Sequence, residues 1–386
     1  MEATAGPILE IGLILLAAVG IGWLFRRIGL PAVVGYLLIG VAVSPFTPGF
    51  VADRQQIQLF ADVGVILLLF EVGIEVDLRR IRRERRALFI AAPLQVLLTT
   101  ILAGMAAWVF GIAPASALVL GLCVALSSSV VIVNITRSRR RTTDRATEDA
   151  LLGWSVLQDV TGVAMAAVLL AAVGSNGLPP ETTLLGLLLF GSVSLAAARI
   201  LPLGLARISD QPDLFLILSV ASGLTIAGLG SVVFHVPLGL AAFVGGLAVS
   251  ESPMTVQARG RLLPFRDLLA VLFFVALGML LDPTELVVGI PWLAAFVLLI
   301  VVAKIAVAWL LARYLVRHAR PLQVAVGLGQ IGEFSFVLAT AIAAAGTIPI
   351  SVYTALVAAA AVSIAASAVG VRLVPVEPRG REKPAA

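Results

Sequence analysis

Residues 151–170 read LLGWSVLQDVTGVAMAAVLL, and the fold is decided there. About 20 apolar residues rising 1.5 Å each cross the ~30 Å hydrocarbon core of a bilayer. Yet Gln158 and Asp159 stand side by side in this run, roughly nine residues or ~13 Å from its first end. That is close to mid-depth. An ionisable carboxyl there costs on the order of 2.5–3.5 kcal/mol on insertion scales, so a functional role is the default reading of Asp159. The plainer alternative is an acid held in a structural hydrogen-bond network.

The whole chain has the same character. Of 386 residues 60% are hydrophobic and only 13% charged, against about 25% charged in soluble domains. With a mean hydropathy of +1.08, this is the composition of a polytopic membrane protein. One cysteine, Cys123, lies inside an apolar run, so no disulfide framework exists. The pI near 10.1 could suggest a nucleic-acid partner, but the arginines fall between apolar runs, where membrane topology explains them. The first residues carry Glu2 and no basic residue, so a signal peptide is not expected.

Apolar runs of suitable length predict an all-α protein of thirteen spans, at about 7–25, 31–45, 57–74, 87–110, 114–136, 150–173, 182–203, 213–231, 236–252, 264–281, 290–312, 321–346 and 349–371. Numbering the loops alternately tests that count. One side collects 25 of the 27 Lys and Arg residues, the exceptions being Arg54 on the other side and Lys304 inside a span. The positive-inside rule then puts the N-terminus outside and the C-terminus in the cytoplasm. An odd count also permits spans 1–6 and 8–13 to be inverted repeats joined by span 7, an arrangement common in secondary transporters. Residues 372–386 form a short cytoplasmic tail, expected to be disordered.

Asp159 needs company. Lys304 is the only Lys or Arg deep in a span, about as far from the cytoplasmic end as Asp159, so the two are expected to pair. The alternative is a lysine that snorkels to the surface. Spans 5 and 12 look interrupted: the first carries Ser127, Ser128 and Ser129, the second GLGQIGEFS, with Gly329, Gln330, Gly332 and Glu333. Small polar residues at mid-depth permit unwinding, which exposes carbonyls and half-helix dipoles to ions, although they also allow plain close packing. The two spans hold equivalent places in the proposed repeats. Glu333 is suited to balance the ends of the broken helices.

Other patterns carry less. GLGQIG at 327–332 satisfies the dinucleotide motif, but no strand precedes it and no acid follows about 20 residues on. Asn134-Ile135-Thr136 matches a glycosylation pattern at a cytoplasmic helix end. In the third span Asp62 lies near the outer mouth. Glu71 and Glu75, four residues apart, are expected to pair with arginines of the loop 79–86. His235 and His318 are too isolated for a metal site.

Several stretches resemble Kef-type monovalent cation:proton antiporters of the sodium/hydrogen exchanger superfamily. They are GYLLIGVAVSP (35–45), GVILLLFEVGIEVD (64–77), LSSSVVIV (126–133), Gln158-Asp159, PLGLAAFVGGLAVSES (237–252), LFFVALGMLL (272–281) and GQIGEFSFVL (329–338). The likeness runs through all thirteen spans. It implies a NapA-like fold with spans 5 and 12 discontinuous and crossing. A dimer subdomain would hold residues 7–74 and 213–281, span 7 (182–203) would link, and a core transport subdomain would hold 87–173 and 290–371. By position, Asp159 resembles the ion- and proton-binding carboxylate, with Gln158 and Ser127–Ser129 beside it. Lys304 resembles the eleventh-span lysine of several branches. The resemblance also implies a homodimer in the inner membrane of a bacterial cell, with no cofactor beyond the transported K+ or Na+ and H+. Kef systems usually add a nucleotide-binding regulatory domain; none is expected in this chain, and that puts ligand-gated control in doubt.

The expected activity is therefore exchange, not enzymology: a proton and a monovalent cation compete for Asp159 while the protein exposes it alternately to each side. Other classes fit less well. A passive cation channel needs a carbonyl filter or acidic ring, and neither is legible. An intramembrane aspartyl protease needs two carboxyls in one site, and Asp159 has no second deep Asp, with Asp62 and Glu71 off its level. An ion-coupled symporter of a small organic anion stays open, because broken helices can also bind carboxylates.

Overall fold

The computed structural model describes residues 2–47, 54–75, 87–136, 143–173, 179–250 and 254–374, and among these every regular element is a helix. In chain order they are α1 (Glu2–Ile28), α2 (Ala32–Ala42), α3 (Arg54–Glu75), α4 (Leu88–Val109), α5 (Pro114–Ala125), α6 (Ser129–Thr136), α7 (Arg145–Val173), α8 (Pro180–Arg207) and α9 (Pro212–Phe234). There follow α10 (Leu238–Ser250), α11 (Thr255–Met279), α12 (Pro283–Val288), α13 (Ile290–Leu299), a π-helical turn (Ile300–Ile305), α14 (Ala306–Leu315), α15 (Pro321–Leu328), α16 (Phe334–Ala344) and α17 (Ile350–Leu373). Among the described residues ten segments are long and apolar enough to cross a membrane, and α2, α10 and α16 are shorter apolar helices. The protein is an all-helical, polytopic integral membrane protein.

Expected boundaries shift where polar residues extend a helix past its apolar run. α11 begins at Thr255 rather than near 264, and α7 at Arg145 rather than near 150. At the start of α7, Asp144 Oδ1 accepts the Thr147 N–H at 2.8 Å, satisfying one of the donors left open in a first turn.

Two backbone-to-backbone contacts organise one side of the molecule. α2 meets α11 at Gly40 and Gly278, and α3 meets α10 at Gly73 and Gly246. A methyl on any of the four would run into backbone of the facing helix. Without an apolar driving force between helices in lipid, such close approach supplies the dispersion contact that holds spans together.

α3 ends in a charged cluster. Glu71, 1% exposed, is gripped by Arg259 Nε at 2.5 Å and Arg266 Nη1 at 2.6 Å, and Arg259 Nη2 also reaches Glu75 at 2.8 Å. These partners come from α11, 188 and 195 positions beyond Glu71 in sequence, and are not those expected. The loop 79–86 lies outside the described residues. The polar start of α11, which lengthens that helix, is what delivers Arg259, while Arg266 lies in the span already expected.

Candidate functional site

Both spans expected to be interrupted are interrupted. Helix stops at Ala125 and resumes at Ser129, and it stops at Leu328 and resumes at Phe334. The two breaks, 126–128 and 329–333, lie against each other and satisfy each other's backbone. Gly332 N–H donates to the Leu126 carbonyl at 3.0 Å, and the Ser127 hydroxyl donates to the Leu328 carbonyl at 2.8 Å. Gln330, fully buried, accepts the Ser128 N–H at 2.9 Å and donates to the Ser128 carbonyl at 3.2 Å. Unwound backbone at membrane depth survives only where protein supplies such partners.

The half-helix ends carry complementary charge. Lys304 Nζ donates to the Leu126 carbonyl at 2.7 Å and the Gln330 carbonyl at 2.6 Å, just beyond the C-termini of α5 and α15, where helix dipoles favour a cation. The expected Lys304–Asp159 pair is corrected by this: no ion pair joins them, and the ammonium is spent on carbonyls. Nor does Lys304 snorkel, since it is 0% exposed. Glu333 stands at the N-terminus of α16, where an anion is favoured, as expected.

Asp159 lines a narrow, partly open cavity with room for about one water molecule. Its walls are Ser127, Val163, Glu333 and Phe334 on one side, with Leu69 and Val72 of α3 and Phe243 of α10 on the other. A mid-span carboxyl therefore meets open space, a hydroxyl and a second carboxyl rather than uninterrupted apolar packing. Such a lining can hold a small cation or a proton.

Other expected site residues lie elsewhere. Gln158 is fully buried but does not line the cavity; its Nε2 donates to Gln95 Oε1 in α4. Adjacent residues on a helix point ~100° apart, so Gln158 and Asp159 face different neighbours. The Ser128 hydroxyl accepts the Val131 N–H at 3.2 Å and caps α6, while Ser129 starts that helix, half-buried. Gly329, Gln330 and Gly332 form the second break itself. Sequence reasoning missed Gln95 and Thr99, polar residues inside α4 that were open to the same argument applied to Asp159.

Comparison with known proteins agrees with this architecture. A solved structure of the sodium proton antiporter MjNhaP1 from Methanocaldococcus jannaschii superposes with a TM-score of 0.74 at 18% identity, covering 97% of this chain and 99% of that one. At that identity the likeness is one of fold. YbaL of Escherichia coli K12, named as a cation/proton antiporter, is 32% identical over 334 residues, which is 83% of this chain and 60% of that protein. The chain thus spans under two thirds of that relative's length. The transmembrane sodium/hydrogen exchanger family model matches residues 13–374, and the chain belongs to this family, which is one of transporters and not of enzymes.

Proposed function

We propose that the protein is a secondary active antiporter that exchanges a monovalent cation, K+ or Na+, for protons, with the two ligands competing for Asp159. The observation that carries this reading is the cavity. Its apolar wall comes from α3 and α10, within the segments 7–74 and 213–281 assigned to a dimer subdomain. Its polar wall comes from 87–173 and 290–371, assigned to a core transport subdomain, with α8 as the link. A carboxyl on the seam between two bodies is placed to be exposed alternately as one slides past the other. The Leu126 and Gln330 carbonyls at the breaks already face Lys304, which leaves the carboxyls of the cavity, Asp159 with Glu333 beside it, to exchange a ligand.

Leaving out the six-residue α12 and grouping α5 with α6, α13 with α14 and α15 with α16 gives thirteen spans, and the glycine contacts support an inverted repeat among them. Gly40 of span 2 faces Gly278 of span 10, and Gly246 of span 9 faces Gly73 of span 3. A seven-span offset with inversion exchanges these two pairs. The methyl clashes agree in detail: each glycine abuts the carbonyl three residues before its partner, namely Val275, Leu37, Phe243 and Phe70. With the arginine distribution, this supports an outside N-terminus and a cytoplasmic C-terminus; the family resemblance is what suggests a bacterial inner membrane and a homodimer built on the first subdomain. Glu333 at the start of α16 counts against the organic-anion symporter, since it would repel a carboxylate approaching that helix end.

The test is transport in proteoliposomes under an imposed pH gradient, with Na+ and K+ supplied separately. Cation-dependent proton movement is expected from the unaltered protein and not from Asp159→Asn. Full exchange by Asp159→Asn excludes the carboxyl as the shared site, and dissipation of the gradient without saturable counterflow identifies a channel.

A further inference from the structure

Lys304 owes its direction to an unusual backbone. It sits in a π-helical turn, where the Ala306 N–H reaches back five residues to the Val301 carbonyl. A π turn takes in one extra residue, so side chains around it point ~100° away from their α-helical directions. Such turns are rare and less stable than α-helix, so something must hold this one. The Thr99 hydroxyl donates to the Ala303 carbonyl at 3.1 Å, on the peptide that joins Ala303 to Lys304. Thr99 Oγ1 in turn accepts from Gln95 Nε2 at 3.1 Å, and the same amide nitrogen reaches the Ala125 carbonyl at 3.3 Å. Ala125 is the last residue of α5, adjacent to the Leu126 whose carbonyl receives Lys304. Gln95 Oε1 accepts from Gln158 Nε2, on the helix that carries Asp159.

We propose that Gln95 and Thr99 are positioning residues: the row Gln158–Gln95–Thr99–Ala303 carbonyl holds the π turn in place and so keeps Lys304 on the carbonyls of the two helix breaks. This deepens the antiport reading and rests on it. Gln95, Thr99, Gln158 and Lys304 are all 0% exposed. Neither Gln95, Thr99 nor Gln158 lines the cavity, so they act on the ion through Lys304 and the break, not by contact. Every bond runs in one sense, donor to acceptor, from α7 through α4 to the π turn. The row leaves Gln158 Oε1 buried without a hydrogen-bond partner, a cost that apolar side chains in these places would avoid. Its retention fits a requirement for aim rather than for stability.

Thr99→Val removes the donor and nearly preserves shape, and Thr99→Ser keeps the donor. In the full-length protein in liposomes, Thr99→Val is expected to raise the half-saturating cation concentration about fivefold, the worth of one buried hydrogen bond, with Thr99→Ser close to the unaltered protein. Hydrogen–deuterium exchange across residues 300–306 is expected to quicken by a similar factor in Thr99→Val alone. In a Lys304→Met background, Thr99→Val should add nothing further to the change in transport. A Thr99→Val protein with unchanged saturation and unchanged exchange overturns the proposal, and so does an equal effect with and without Lys304. If Thr99→Val does not fold, Gln95→Met cuts the row one bond earlier and carries the same test. If the unaltered protein moves no protons in response to cations, the antiport reading fails, and the hydrogen-exchange arm decides this inference separately.

Discussion

Replacing Gly332 by alanine probes the helix crossing with a single methyl group. Built on the present backbone, that methyl would lie 2.6 Å from the Ser127 carbonyl carbon, 2.7 Å from its oxygen and 2.8 Å from Ser128 N. Non-bonded carbons sit about 3.5 Å apart, so the two breaks must separate by roughly 0.9 Å. The obstacle is backbone, which cannot rotate aside. Three hydrogen bonds between the breaks, now 3.0 Å from Gly332 N, 2.8 Å from Ser127 Oγ and 2.9 Å from Ser128 N, would then stretch out of range. At ~1 kcal/mol each, about 3 kcal/mol is lost. Lys304, which bridges carbonyls on both breaks, would also lose one of its two partners. Cation-driven proton exchange in proteoliposomes is expected to fall at least about tenfold in Gly332→Ala, with thermal stability reduced. Gly329→Ala offers the contrast, because the atoms its methyl would press hardest are Ile305 side-chain carbons at 2.6 and 2.7 Å, which can rotate, while the nearest backbone atom, the Val326 carbonyl oxygen, lies at 3.2 Å. Its loss should stay under about threefold. Gly228→Ala, with nothing within 4 Å, is the neutral control. A Gly332→Ala protein that exchanges and melts like the unaltered one would refute the crossing geometry.

The charged cluster and a surface cap give two more tests. Glu71→Gln strands two guanidinium groups around a side chain that is 1% exposed, and about 3 kcal/mol of stability should be lost. Glu75→Gln, with its side chain 28% exposed and one partner among the described residues, should cost under about 1 kcal/mol; equal losses in chemical unfolding would contradict the assignment. Asp282 caps α12, accepting from Thr284 N–H at 2.8 Å and Thr284 O–H at 2.6 Å, and these bonds hold its carboxyl below the usual 3.8. A depressed value means that its contribution is present above the unfolded pKa and lost as pH falls through the folded one. Asp282→Ala should therefore quicken hydrogen exchange at 284–288 at neutral pH and make no difference in strong acid, and a pH-independent effect would exclude capping by the carboxylate.

Much of the site was legible before any coordinates. Asp159 betrayed itself by depth alone, because a carboxyl amid twenty apolar residues is costly wherever its neighbours are. The breaks were marked by serines at 127–129 and glycines at 327–332, since small residues permit unwinding regardless of what lies across from them. Lys304 was singled out on the same ground, yet its partner was misjudged. Matching depth suggested Asp159, whereas the π turn aims the ammonium at carbonyls. Gln158 was grouped with Asp159 because it is adjacent in sequence, and it faces Gln95 instead.

Composition and hydropathy by themselves determined that the chain crosses a membrane many times, roughly where each crossing falls, and which few polar groups are stranded within. These depend on the free energy of each segment in lipid, which is local and nearly additive along the chain. Only the tertiary structure decided the pairings: Lys304 with two break carbonyls, Glu71 with Arg259 and Arg266, Gln95 with Gln158, and Asp159 with a cavity. A helix turns ~100° per residue, so a direction depends on register to within a single residue, and one π turn resets it. Partners separated by up to about two hundred positions meet only once the spans have packed, and no property of either segment alone specifies that meeting.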